Sequence, residues 1–251
     1  MDHFITYEHK QDYGIIRLNR PEKRNAISTE MMQLLKKYLL KAREEKYKFI
    51  VITGNGDKVF CAGGDLTELH GDLTPDDAFA KLYPMKEVLY EIVSFPVPVI
   101  CFMNGDAMGG GCELATACDI RITKPGTRFG FIQSNLGIVP GWGGGVLLYE
   151  KVHPAFAFQW MMEGTIYGAT YLLEKGWIHE VISEESTFER ILATYSSRSL
   201  QQMKILKSQY KRKLSNLSLS ADMNEEMKNA AILWDTHEHK QAVNRFLSRK
   251  R

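Results

Sequence analysis

Cysteine and histidine are scarce in this chain, and neither occurs in a metal-binding pattern. Only four of the 251 residues are cysteines. They form no CxxC pair and no zinc-like spacing with histidine, and the sequence contains no HExxH motif. We therefore predict no metal site and no disulfide framework, with Cys61, Cys101, Cys112 and Cys118 as reduced, mostly buried thiols.

The sequence also lacks long apolar runs and a strong charge of either sign. No apolar stretch approaches the length of a membrane span, and the first ten residues have no charged-then-apolar signal pattern. The formal net charge is only +2, which creates no field strong enough to favour nucleic acid as the main partner. We expect a cytoplasmic protein that binds neither membranes nor nucleic acids.

The length and composition are those of an ordinary globular protein. A share of 44% apolar residues in a chain of 251 allows one large domain or a domain with a helical extension.

The predicted elements favour an α/β fold, because strands and helices follow one another along the chain. Ser28 or Thr29 can cap the first helix, and residues 133–145 are rich in glycine, which predicts a loop. The predicted elements are a hairpin at 4–8 and 13–18, a helix after 28, a strand at 49–53, a helix at 76–94, and strands at 97–102 and 128–131.

Strands that alternate with helices favour right-handed crossovers and parallel pairing. We therefore assign residues 1–183 to a core domain and residues 184–251 to a C-terminal helical region. This second region contains neither proline nor glycine. We predict that it covers its own domain or a neighbouring subunit.

The stretch 96–122 has the strongest chemical signal in the sequence. A buried strand leads through Gly109, Gly110 and Gly111 into a predicted helix, and Glu113 lies in its first turn. Unpaired N–H groups at a helix start suit an anion or a developing oxyanion. The same residues are also compatible with a flexible turn and an exposed glutamate that favours the helix dipole.

A second glycine-containing turn, at 59–66, follows the strand 49–53. Two N–H donors from separate turns can point at one oxygen, and this is the geometry of an oxyanion hole. The sequence contains no GxSxG elbow, no phosphate-binding P-loop and no dinucleotide fingerprint. The simplest mechanism is therefore an acid or base beside an oxyanion hole, with Glu113 as the candidate.

Four segments together resemble the crotonase family, also called the enoyl-CoA hydratase/isomerase family. They are NRPEKRNAIS at 19–28, CAGGDL at 61–66, NGDAMGGGCELATACDIRI at 104–122 and RFGFIQSNLGIVPGWGGG at 128–145. The resemblance implies a spiral of repeated ββα units followed by C-terminal helices, assembled as a trimer or a hexamer. It also implies an acyl-CoA substrate, no cofactor beyond the CoA of that substrate, and a carbonyl oxygen held by the N–H groups of Ala62 and Gly110.

The resemblance further implies where the substrate binds. Lys23, Arg24 and Asp65 match positions that contact CoA, and basic residues near Lys207 are expected to add to this site from a helix. Lys23 and Arg24 are equally compatible with a charged surface loop, and Asp65 with a helix cap. Trp142 is a candidate substrate-binding residue, because GIVPGWGG looks similar to some decarboxylating relatives, in which an apolar wall near a bound carboxylate would favour its loss. A tryptophan among glycines more often only packs beneath its loop.

One departure from the family pattern lies at Gln133, where hydratases of the family have a second glutamate. A glutamine can hold a water molecule but cannot exchange a proton. Three hypotheses follow. The first is a hydratase or isomerase-like enzyme with Glu113 as its only acid/base, and the second is a decarboxylase of a malonyl-type thioester such as methylmalonyl- or ethylmalonyl-CoA. The third is a non-catalytic acyl-CoA-binding subunit.

Overall fold

A computed structural model describes residues 4–69, 73–183, 186, 188–215 and 218–248. The predicted start of the tail at residue 184 and its end at residues 249–251 lie outside the described residues. The ten strands among the described residues are β1 Ile5–His9, β2 Tyr13–Leu18, β3 Phe49–Gly54, β4 Val59–Cys61, β5 Val99–Met103, β6 Asp106–Met108, β7 Ile120–Thr123, β8 Arg128–Gly130, β9 Tyr167–Gly168 and β10 Glu180–Val181.

Eleven α-helices connect or cover these strands in the described part of the chain. They are α1 Thr29–Arg43, α2 Leu66–Leu69, α3 Pro75–Val93, α4 Gly110–Ala117, α5 Gly144–Lys151, α6 Pro154–Glu163, α7 Ala169–Glu174, α8 Phe188–Ser196, α9 Leu200–Ser215, α10 Leu219–Trp234 and α11 His237–Ser248. Two 3-10 helices, Pro21–Lys23 and Ile132–Leu136, complete the set.

The strands form two sheets. The larger sheet has the order β1-β2-β3-β5-β7-β10, in which only the hairpin β1/β2 is antiparallel. The smaller sheet has the order β4-β6-β8-β9, with β4, β6 and β8 parallel. The α/β class, the parallel pairing and the opening hairpin are as the sequence predicts.

Helix α1 shows how the local sequence forms its element. The hydroxyl oxygen of Ser28 accepts a hydrogen bond from the backbone N–H of Met31 at 3.2 Å, which caps the helix. Met31, Leu35 and Leu39 recur every three or four residues and are buried against the core. The predicted cap and the predicted apolar face are confirmed.

Two sequence expectations are wrong in detail. The glycine turns follow the three-residue strands β4 and β6, which were not predicted, because so short a strand has no visible alternation. The expected loop at 133–145 contains the second 3-10 helix and the first residues of α5. The start of α5 depends on side chains from distant segments, as described below, so local composition does not reveal it.

The C-terminal helices fold back over the core of the same chain. Helix α10 packs against α3 and α5, and α11 packs against the 3-10 helix Ile132–Leu136. All four cysteines are buried and free. Throughout the ranges that the structure describes, every helix is too short or too polar to cross a lipid bilayer.

Candidate active site

The two glycine turns lie side by side because their strands are neighbours. Strand β4 leads into the first turn, Ala62–Asp65, and its parallel neighbour β6 leads into the second, Gly109–Glu113. A methyl group placed on Gly63 would lie 3.3 Å from the backbone nitrogen of Gly110. The predicted meeting of the two turns is therefore confirmed.

The N–H groups that are available differ from the predicted pair. Gly110 is the first residue of α4, so its N–H has no acceptor within the helix. The N–H of Ala62 instead donates to the carbonyl oxygen of Arg24 at 3.1 Å. This bond contradicts the expected role of Ala62 as an oxyanion donor, since its only backbone proton is already engaged.

Gly64 supplies the donor that Ala62 does not. Gly64 forms a parallel bridge with Ile27, in which Ile27 donates to the carbonyl of Gly63 and Asp65 donates to the carbonyl of Ile27. The N–H of Gly64 points away from this bridge, and no described residue accepts its proton. The free donors of the two turns are thus Gly64 and Gly110.

Glu113 is buried at the centre of the site and accepts four hydrogen bonds. Its Oε2 accepts from the backbone N–H groups of Trp142 at 2.9 Å and Gly144 at 3.0 Å. Its Oε1 accepts from Gln133 Nε2 at 2.9 Å and from the N–H of Gly141 at 3.4 Å. Burial raises the pKa of the Glu113 carboxyl above its usual value, and these hydrogen bonds partly oppose that rise.

Gln133 is brought to Glu113 as predicted, and its orientation follows from that contact. Because the amide nitrogen donates to the carboxylate, the amide oxygen Oε1 must face away from it. This oxygen is buried and has no hydrogen-bond partner among the described residues. The site therefore contains an acceptor that requires a donor from outside the protein.

Glu226, on α10, is part of the same region but was not predicted. Its carboxylate accepts from the N–H groups of Gly145 at 3.3 Å and Val146 at 2.6 Å, directly after the Gly144 N–H that Glu113 binds. Burial and the neighbouring charge of Glu113 raise the pKa of the Glu226 carboxyl well above its usual value. Glu226 is one of several glutamates in a helical tail, so the sequence contains no signal that singles it out.

Two glycines allow this close packing. A methyl group on Gly144 would lie 2.3 Å from Cβ of Glu113, so only glycine lets the start of α5 reach the carboxylate. A methyl group on Gly110 would lie 2.1 Å from Cζ3 of Trp142. The Trp142 ring also passes 3.3 Å from the corresponding position on Gly64, so it packs beside both free donors.

A cavity of about 640 Å³ opens onto these groups. Its wall is mainly apolar and includes both free donors, Glu113, Gln133 and Trp142. The remaining lining residues are Ala62, Gly63, Leu66, Leu69, Leu82, Gly109, Ile132, Asn135, Leu136, Ile138, Val139, Gly141, Ile166, Trp234, Ala242, Arg245 and Phe246. The predicted contact of Trp142 with the pocket thus has a structural basis.

The predicted CoA-binding residues lie outside the cavity lining. Lys23 and Arg24 are exposed on the loop beside the first turn, and no described residue pairs with their side chains. Lys207 is buried, with Nζ 2.6 Å from both carboxylate oxygens of Asp119. Lys207 itself is therefore not available to a ligand, because Asp119 already neutralises its charge inside the protein. The expected contribution of other basic residues near it stays a prediction.

Asp65 has the structural role that the sequence also allows, as a cap at the start of α2, and its contact with CoA stays a prediction. Its Oδ2 lies 2.6 Å from Arg20 Nη1, and its Oδ1 accepts from the backbone N–H and the hydroxyl of Thr67. Burial alone would raise the pKa of Asp65, but the bonds from Thr67 and Arg20 outweigh it and hold the pKa below its usual value. Asp65 thus fixes the first turn to the loop before α1.

The arrangement suits the stabilisation of a carbonyl oxygen that gains negative charge. Two free N–H groups face the cavity, and a carboxylate and an unpaired amide oxygen lie beside them. Among the described residues, no group of three or more His, Cys, Asp or Glu side chains is placed to hold a metal ion. Acid–base chemistry on a bound carbonyl compound is what these groups can perform.

Comparisons with known proteins give a consistent result. The family model described as "Enoyl-CoA hydratase/isomerase" matches residues 8–251. A 2,3-dehydroadipyl-CoA hydratase of Escherichia coli is 30% identical, over 98% of this chain and 96% of its own length. An ethylmalonyl-CoA decarboxylase of Pongo abelii is 32% identical, over 67% of this chain and 56% of its own.

A solved structure extends the likeness to the fold. The crystal structure of enoyl-CoA hydratase from Thermoplasma volcanium superposes with a TM-score of 0.79 at 30% identity, and 97% of each chain is covered. The two sheets and the C-terminal helices described above therefore follow a known architecture.

Proposed function

The chain belongs to the enoyl-CoA hydratase/isomerase family, and from this premise we propose that it adds water to the double bond of an enoyl-CoA thioester. The family and the crotonase fold predicted from the four sequence motifs are confirmed. The reaction and the roles of individual residues are our proposal, and they rest on the contacts around Glu113.

In this proposal the thioester carbonyl oxygen accepts hydrogen bonds from the N–H groups of Gly64 and Gly110. When water attacks the β-carbon, electrons move through the double bond and negative charge develops on that oxygen. Donors that are already in place stabilise this charge, and each is commonly worth about 3 kcal/mol. The position of Gly110 at the start of α4 adds the positive end of the helix dipole.

The unpaired oxygen of Gln133 is the observation that carries the proposal. Water can donate one hydrogen to Gln133 Oε1 and the other to Glu113 Oε1. The N–H of Gly141 lies 3.4 Å from that Glu113 oxygen, a long contact that a water molecule can replace by accepting the Gly141 proton. Two acceptors and one donor would then hold the attacking water.

Glu113 is the acid/base in this scheme. Its carboxylate takes a proton from the water as the oxygen bonds to the β-carbon, and the resulting acid returns that proton to the α-carbon of the enolate. The hydroxyl group and the proton of one water molecule are thus both added to the substrate. Burial raises the pKa of Glu113, which makes its carboxylate a stronger base for the first step, and the carboxylic acid formed in that step is the proton donor for the second.

The test is a product assay with two classes of thioester. Purified protein is incubated with crotonyl-CoA and, separately, with methylmalonyl- or ethylmalonyl-CoA, and the products are weighed by mass spectrometry. We expect crotonyl-CoA to gain the mass of water. If only the malonyl-type thioesters change, by loss of carbon dioxide, the hydratase proposal is wrong. Binding without any turnover would support a non-catalytic subunit instead.

Decarboxylation is the second candidate, and Trp142 favours it. Its ring packs beside both free donors, so a carboxylate on the α-carbon would meet an apolar wall and the acceptor oxygens of Glu113 and Gln133. Such surroundings disfavour the charged group and promote its loss as carbon dioxide. The bonding electrons would enter the same enolate, which then takes a proton. The similarity to an ethylmalonyl-CoA decarboxylase is consistent with this route.

Other expectations from the sequence stay predictions. We expect Lys23 and Arg24 to meet the phosphates of CoA, and their exposure on the loop that holds the first turn supports this expectation. Assembly as a trimer or hexamer and a cytoplasmic location are likewise proposals. Phe158 and Met162 on α6 are 56% and 60% exposed, which leaves apolar surface available for a second copy.

A further inference from the structure

The cavity contains one charged group that the proposed reaction does not use. Among the described residues that line it, Glu113 is the only anion and Arg245 is the only cation. Most other lining side chains are apolar. Arg245 is itself exposed, so its charge stays solvated at the edge of this apolar wall. A planar guanidinium in that place offers several donors to an anion bound in the cavity.

Helix α11 fixes the position of Arg245. The ring of His239 bonds to the carbonyl oxygen of Leu136 at 2.6 Å and so ties the helix to the cavity wall. Ala242 and Arg245 follow at three-residue spacing, which places them on the same side of the helix, and both line the cavity. The guanidinium group is therefore held at the cavity by the helix that covers it.

Arg245 has no protein partner for its charge. No described acidic side chain lies within ion-pair distance of the guanidinium group, and no described residue accepts a hydrogen bond from it. By contrast, Arg20 and Arg43 pair with Asp65 and Glu91. The exposed guanidinium of Arg245 thus keeps its donors available at the edge of the cavity.

We propose that Arg245 binds a carboxylate at the far end of the acyl chain, so that the preferred substrates are CoA thioesters of dicarboxylic acids. This inference rests on the proposed function, because it takes the thioester carbonyl to lie at Gly64 and Gly110. A planar guanidinium matches a carboxylate with two parallel hydrogen bonds. The inference takes the acyl chain to occupy the apolar part of the cavity, whose lining includes Arg245.

A CoA phosphate is the other anion that Arg245 could meet. The free cations Lys23 and Arg24 lie outside the cavity lining, on the loop beside the first turn. The nucleotide part of CoA is bulky and highly charged, so it can bind these two exposed cations while it remains in contact with solvent. The location of Arg245 within the cavity lining therefore favours the acyl carboxylate over the nucleotide.

The test measures binding, so it does not depend on turnover. Saturated dicarboxylic acyl-CoA thioesters of increasing length are compared with their ω-methyl esters by titration calorimetry. We expect the wild type to bind the acid of best length at least tenfold more tightly than its ester. Arg245→Gln should reduce this ratio about tenfold, and Arg245→Lys should retain part of it. Arg198→Gln, which removes an exposed arginine outside the cavity lining, should leave the ratio unchanged.

Equal affinity of the wild type for acid and ester at every length would overturn the inference. It would also be overturned if Arg245→Gln weakened acid, ester and acyl-free desulfo-CoA equally, since Arg245 would then bind a phosphate. The proposed function is judged separately, by turnover of crotonyl-CoA. A protein that hydrates crotonyl-CoA but does not distinguish acid from ester refutes this inference alone.

Discussion

The two glycine turns of the site have the same sequence character but are held in different ways. The first turn, Ala62–Asp65, is fixed by polar bonds to the loop before α1, among them the Ala62–Arg24 hydrogen bond and the Asp65–Arg20 ion pair. The second turn, Gly109–Glu113, begins a helix and is fixed by packing against Trp142 and by the bonds of Glu113.

The first turn is therefore held by residues that take no part in the reaction, whereas the second turn is held by residues of the site itself. The first turn supplies one donor, Gly64, and its supports lie outside the cavity lining. The second turn supplies a donor and the carboxylate, and its supports are themselves part of the site. Changes at the second turn should therefore reduce the rate, whereas changes around the first should mainly reduce stability.

Removing the carboxylate of the second turn should have the largest effect. We expect Glu113→Gln to lower kcat for hydration about 100- to 10,000-fold, because general acid–base catalysis is lost. Steady-state kinetics with crotonyl-CoA measure this change. Binding of a saturated acyl-CoA serves as the control for folding. A variant that keeps a tenth of the wild-type rate would show that Glu113 is not the acid/base.

Adding a methyl group to each free donor in turn should distinguish the two turns directly. Gly110→Ala would place the methyl 2.1 Å from the buried Trp142 ring, and we expect kcat to fall about 100-fold as the donor shifts. Gly64→Ala would meet Cδ1 of Leu69 at 2.6 Å, the tip of a flexible side chain, so its loss should be smaller. If kcat fell equally in the two variants, the proposed difference between the turns would be wrong.

Restoring a second carboxylate should have a moderate effect of the opposite sign. We expect Gln133→Glu to raise kcat for hydration about tenfold, because water activation and proton return no longer depend on one group. The new charge beside Glu113 should raise its pKa further, so the acidic limb of the pH–rate profile should move to higher pH. A profile that does not move would mean that position 133 is electrostatically separate from Glu113.

The smallest effect concerns the support of the first turn. Asp65→Asn removes the ion pair with Arg20 and should lower the free energy of unfolding by about 1–3 kcal/mol at neutral pH. Since the pKa of Asp65 is lowered in the folded state, this stability is complete above its unfolded pKa of about 3.9 and is lost as pH falls through the folded value. Urea unfolding of both proteins, from about pH 7 to about pH 2, would test whether their difference disappears in acid.

Much of the site could be predicted because its determinants are local. The glycines at 109–111 and the position of Glu113 after them predict a helix start with a carboxylate, and the structure places both there. The motif resemblance implies that Glu113 and Gln133 share one site. In the structure they meet because α4 and the 3-10 helix Ile132–Leu136 follow the paired strands β6 and β8.

The errors arise where distant segments decide the outcome. Ala62 and Gly64 are two residues apart in one turn. The Ala62 N–H is engaged because it donates to the carbonyl oxygen of Arg24, a residue far away in the sequence, and this leaves the Gly64 N–H free. Glu226 reaches the start of α5 because α10 packs across α3 and α5, a contact that helical periodicity alone does not reveal. Arg245 likewise becomes a cavity residue only when α11 folds back over the core.

The central claim is that Gln133 Oε1 and Glu113 together hold the water that is added. The most direct test is the single-turnover hydration of crotonyl-CoA in ¹⁸O-labelled water by the wild type and by Gln133→Leu, which keeps similar bulk without the acceptor. We predict that the wild type incorporates one ¹⁸O atom into the product and that the variant does so at least tenfold more slowly. Equal rates, or no incorporation by the wild type, would contradict the claim.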